Sequence, residues 1–85
     1  MSWSEPSARL LGVALRRMRE EHGLSQEALA FRAGITKNQL QLIEAGRSSG
    51  RRGASGPSNP RLSTLVGLAD VLGRSVSGLL ADAGL

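Results

Sequence analysis

Apolar positions recur at Leu11, Leu15, Met18 and His22 with spacings of four, three and four, which is one stripe of a 3.6-residue helix; Leu10 and Ala14 widen it. Ser4 or Ser7 can cap its start, Pro6 suits its first turn, and Gly23 suits a left-handed close beside a capping His22. A second, short helix is predicted after Ser25, with Leu29, Ala30 and Ala33 on one face and Gly34 ending it. Thr36 caps a third, whose Leu40 and Ile43 face inward and which Gly46 closes. Beyond Pro60, Leu62, Leu65, Leu68, Ala69 and Leu72 repeat at helical spacing up to Gly73. Ser75 then caps a last turn or two carrying Val76, Leu79 and Leu80, read as core first and dimer surface second. No stretch sustains the period-two alternation of a strand, so the fold class expected is all-α with five helices.

The chain has 85 residues, and one domain spanning 1–85 is expected. It lacks cysteine, which excludes disulfides and thiolate metal sites, and its single histidine leaves too few nitrogen ligands for zinc. No acid/base pair, phosphate-cradling glycine motif or metal cluster can be assembled, so no catalytic residue, metal or cofactor is expected and the chain is read as a non-enzyme. Its longest apolar runs are far too short for a membrane span, which makes the cytoplasm the expected location. One Phe, one Trp and no Tyr argue against a base-stacking platform for single strands.

The net charge is +4, and its distribution says more than its size. Arg47, Arg51, Arg52 and Arg61 stand in or at the end of a Gly/Ser/Pro-rich stretch, residues 47–60, that contains no acid. The rest of the chain is nearly balanced. A basic loop of this kind favours a polyanionic partner.

Residues 25–46 carry the most specific pattern. Two short helices joined through Ala33-Gly34-Ile35 form a helix-turn-helix candidate. Gln26, Ala30, Gly34, Leu40 and Ile43 stand at positions 1, 5, 9, 15 and 18 of a twenty-residue window. Position 5 must be small because the helices touch there, and position 9 must tolerate a positive φ.

Through LGVALRRMREEHGLSQEALAFRAGITKNQLQLIEAGR and NPRLSTLVGLADVLGRSVSGLL the chain resembles the phage-repressor-like helix-turn-helix family of the Xre and Cro type. The resemblance implies a lambda-repressor-like DNA-binding domain that acts as a homodimer on near-palindromic double-stranded operators, with the third helix in the major groove. It assigns base reading to Lys37, Asn38, Gln41 and Leu42, and backbone contact to Gln26 and Thr36. Leu42 and Ala45 stand where the family commonly has polar or basic side chains, and Leu42 is expected to pack on a thymine methyl instead. Arg19 and Glu44 occupy positions that commonly form an ion pair between the first and third helices. Phe31, at a usually polar position, is expected to pack at the core edge against the loop or Trp3. The loop after Gly46 is longer than the family's, and its charge assigns Arg47, Arg51, Arg52 and Arg61 to the DNA backbone. The leading expectation is a transcriptional regulator acting as a repressor; the alternative is an antitoxin-like module with a protein partner as well.

Overall fold

Three helices among the described residues start at side-chain oxygens that satisfy first-turn amides. The computed structural model describes residues 2–48 and 56–85, and through them run α1 (Glu5–Glu21), α2 (Gln26–Ala33), α3 (Lys37–Glu44), α4 (Leu62–Val71) and α5 (Val76–Asp82). The Ser25 hydroxyl accepts from Ala28 N–H, Thr36 from Gln39 and Ser75 from Gly78, so α2, α3 and α5 each begin where a cap was expected. Ser4 precedes α1, its N–H donating to the Ser7 hydroxyl, and Pro6 lies in the first turn. Between α2 and α3 the chain reverses at Gly34, whose φ of 80° lets Ile35 N–H reach back to the carbonyl of Ala30. No strand occurs among the described residues; Arg47 and Pro57 form an isolated antiparallel bridge.

All five helices meet in one hydrophobic cluster. Leu11, Leu15 and Met18 of α1 lie at its centre with Leu29 and Ala30 of α2, Leu40 and Ile43 of α3, Leu68 and Ala69 of α4, and Leu79 of α5. Trp3, Ala33, Leu65, Val76 and Leu80 pack against this cluster half-buried.

Four apolar expectations are corrected. Leu10 is exposed because it points about 100° around α1 from Leu11, onto a flank that α5 reaches only with its end. His22 is exposed too, its ring nitrogen meeting the carbonyl of Met18 as a helix-end group rather than as part of the stripe. Leu62 is exposed because it opens α4 ahead of the turn that meets α2. Phe31 packs neither in the core nor at its edge: it follows the buried Ala30, turned away from the core, and stands 86% exposed.

Two glycines inside helices set how closely the helices approach. A Cβ on Gly12 of α1 would lie 2.4 Å from the carbonyl oxygen of Glu44, at the end of α3. One on Gly67 of α4 would lie 2.4 Å from the carbonyl oxygen of Ala33, at the end of α2. Both clashes are with backbone, which cannot rotate away. Gly12→Ala and Gly67→Ala should therefore each destabilise the fold by about 3 kcal/mol, as overpacking against immobile atoms does. Denaturant unfolding checks this; midpoints close to wild type would mean that the helices can separate without loss.

Candidate nucleic-acid interface

α3 divides its residues between two faces. Leu40 and Ile43 are buried against the core, while Lys37, Asn38, Gln41 and Ala45 are exposed on the opposite side. Leu42 is half-buried, because it also forms a wall of the groove beside the helix. The N-terminus of α3 is closed by a reciprocal pair of bonds: Gln39 N–H donates to the Thr36 hydroxyl at 3.0 Å, and Thr36 N–H to Gln39 Oε1 at 2.8 Å. The Thr36 hydroxyl keeps its own proton to donate outward. Lys37 Nζ lies 3.8 Å from Glu27 Oε1, an exposed pair that crosses from α3 to α2. Glu27 is not among the site residues expected from sequence, although it and Lys37 lie ten residues apart on either side of one tight turn.

A groove runs along the C-terminal half of α3, lined by Leu42, Arg47, Ser48, Asn59, Arg61 and Ser63 among others. Arg47 leaves α3 directly, its N–H donating to the carbonyl of Leu42 at 2.9 Å. Arg61 stands at the N-cap of α4, where no side chain caps the first turn, so the positive end of α4 opens on the same groove. Asn59, Ser63 and the uncapped turn were missed from sequence; the signal was an arginine in the N-cap place that Ser or Thr fills in α2, α3 and α5. Arg51 and Arg52 lie outside the described residues.

Arg19 and Glu44 form a two-pronged ion pair between α1 and α3. Arg19 Nε donates to Glu44 Oε2 at 2.8 Å and Nη2 to Oε1 at 3.1 Å, while Nη1 donates to the carbonyl of Leu24 at 3.0 Å. Their side chains are 12% and 5% exposed, so the pair is largely removed from water. The hydrogen bond it donates to Glu44 raises the Arg19 pKa above its ordinary value against the opposing cost of burial, and the nearby carboxylates of Glu44 and Glu20 add to the rise. Arg19 therefore stays charged at any pH at which the protein is handled. Gln26, at the start of α2, donates its side-chain amide to Glu44 Oε1 at 3.1 Å. That bond uses one amide proton and leaves the second for another acceptor.

The arrangement is a short exposed helix presented on a buried scaffold, flanked by arginines. Residues 10–81 match the helix-turn-helix domain family. The chain belongs to that family. An uncharacterized HTH-type transcriptional regulator, y4dJ, of Sinorhizobium fredii is 36% identical over 67 residues, covering 79% of this chain and 74% of its own. Among solved structures, the clp gene regulator ClgR of Corynebacterium glutamicum superposes with a TM-score of 0.72 at 26% identity, over 92% of this chain and 72% of that one. SinR, the master regulator for biofilm formation, solved in complex with DNA, superposes with a TM-score of 0.64 at 31% identity, over 82% of this chain and 97% of that one. Helix-turn-helix proteins of this kind are DNA-binding transcriptional regulators and not enzymes. No single helix among the described residues is long and apolar enough to cross a membrane.

Removing either partner of the Arg19–Glu44 pair strands a buried charge, so Arg19→Ala or Glu44→Ala should each cost about 3 kcal/mol. The double variant should cost clearly less than the two together. Additive losses in a double-mutant cycle would mean that the two side chains act independently.

Proposed function

We propose that the chain is a sequence-specific, dimeric repressor of the Xre and Cro type that lays α3 in the major groove of a near-palindromic operator in the cytoplasm. The observation that carries this is the split of α3: Lys37, Asn38 and Gln41 exposed side by side while Leu40 and Ile43 are anchored in the core. Amide and ammonium groups held that way match base-edge acceptors and donors, Asn38 to adenine and Lys37 to guanine. Leu42, half-buried but bordering the same face, offers apolar contact to a thymine methyl.

Backbone contact falls to groups on both sides of α3. Gln26 and Thr36 each retain a proton to donate to phosphate, and Arg47, Arg61 and the open first turn of α4 form a second anion-attracting edge. By sequence, Arg51 and Arg52 add to that edge. The dimer is expected because so small a domain alone contacts too little DNA for tight specific binding; α5 and the residues after it are the surface proposed, with recognition helices about 34 Å apart. An antitoxin-like role with a second protein is the alternative, and the outward Phe31 is the observation that favours it. A tightly co-purified partner at Phe31 would support that alternative.

Selecting bound sites from a random duplex library tests the reading directly, a recovered inverted repeat being the expected result and an absence of enrichment the contrary one. Asn38→Ala should relax preference at one base pair by roughly 1 to 3 kcal/mol while nonspecific binding is almost unchanged. Equal loss on every sequence would reassign Asn38 to the backbone. Because each phosphate contact contributes about 0.9 to the slope of log affinity against log salt, Arg51→Ala with Arg52→Ala should flatten that slope by up to roughly 2 per subunit. An unchanged slope would take the two arginines off the DNA.

A further inference from the structure

The basic loop does not simply leave one helix and enter the next. Immediately after Gly46 the chain pairs with the segment that returns toward α4: Ser58 N–H donates to the carbonyl of Gly46 at 3.0 Å, and Ser48 N–H to the carbonyl of Gly56 at 2.9 Å. Arg47 and Pro57 face each other between these two bonds, the non-hydrogen-bonded place in an antiparallel ribbon, where the missing N–H of proline leaves no gap. Residues 46–48 and 56–58 thus form a stem.

Two bonds are too few to hold a ribbon closed in water, since even full isolated hairpins are marginal. What secures this stem comes from the other end of the chain. Trp3 Nε1 donates to the carbonyl of Ser58 at 2.6 Å, across 55 residues of sequence, and its indole rests half-buried on the hydrophobic cluster. Ser58 itself is buried, with its N–H committed to Gly46, its carbonyl to Trp3 and its hydroxyl without a partner. Its place is therefore set through its backbone, and Trp3 holds half of that.

We propose that Trp3 is a positioning residue for the DNA-contacting Arg47: it clamps the stem shut and so fixes the point at which Arg47 departs from α3. This rests on the reading that Arg47 meets the DNA backbone. Without the clamp Arg47 stands on a frayed ribbon, and fixing it against DNA costs more conformational entropy. Trp3 touches no DNA in this account. Its effect passes through Ser58 to Arg47.

The experiment compares the wild type with Trp3→Phe, which keeps an aromatic ring on the core and removes the donor, and with Ser58→Ala, which keeps both backbone bonds. Amide hydrogen exchange is read at Ser48 and Ser58, and binding to a duplex is read as a function of salt. In Trp3→Phe, exchange at both amides should quicken about tenfold, the loss of one buried hydrogen bond. Duplex affinity should fall several-fold with a shallower salt slope, while the thermal midpoint stays near wild type. Ser58→Ala should match the wild type in both readouts. Unchanged exchange in Trp3→Phe would overturn the clamp whatever happens with DNA. Faster exchange with unaltered duplex binding would overturn the positioning role and leave the regulator reading intact. A wild type that does not bind duplex even at low salt would refute the regulator reading and with it the positioning role, while exchange would still report on the clamp.

Discussion

The structure hinges on a carboxylate buried at the end of α3. Glu44 has almost no access to water, and its two oxygens receive protons from Arg19 on α1 and Gln26 at the start of α2. A charge in that position is tolerable only when it is paired and hydrogen-bonded, so the three helices must keep one relative placement for it to persist. Arg19 extends the constraint by bonding the carbonyl of Leu24, which holds the α1–α2 connection against the same site. The exposed face of α3 inherits its orientation from this network. Apolar packing alone, which is not directional, would permit neighbouring rotations of so short a helix.

Close approach at two glycines completes the frame. α1 sits against the carbonyl end of α3 at Gly12, and α4 against the carbonyl end of α2 at Gly67. In both places the end of a motif helix is pressed onto the backbone of a supporting helix. Both motif helices have eight residues, too few to be stable on their own, and such contacts together with the caps at Ser25 and Thr36 compensate. Stability is thus concentrated on the inner side of the motif, which frees Lys37, Asn38 and Gln41 from any packing duty.

Electrostatics then separate recognition from attraction. The acids near α3 are engaged: Glu44 is buried in its network and Glu27 lies beside Lys37. The arginines after α3 face no acid in their own segment, and the uncapped start of α4 adds the positive pole of a helix. In the proposed function such a layout would draw a polyanion to the flank of α3 and leave the short polar face to discriminate among bases.

Local chemistry made much of this legible from sequence alone. The five helices, their Ser and Thr caps and the Gly34 reversal follow from side-chain oxygens, apolar periodicity and positive φ, which act within a few residues and need no tertiary context. The two faces of α3 follow from the same periodicity. Family resemblance, rather than spacing, brought Arg19 and Glu44 together on paper. Tertiary structure alone decided the rest. Periodicity cannot tell a stripe that is covered from one that is not, so Leu10, Leu62 and Phe31 lie outside the core although each is apolar. A glycine within a helix carries no local mark of the carbonyl that will press against it, as at Gly12 and Gly67. Nor does any local rule connect Trp3 to Ser58, because a bond between groups so far apart in sequence exists only once the helices between them have packed.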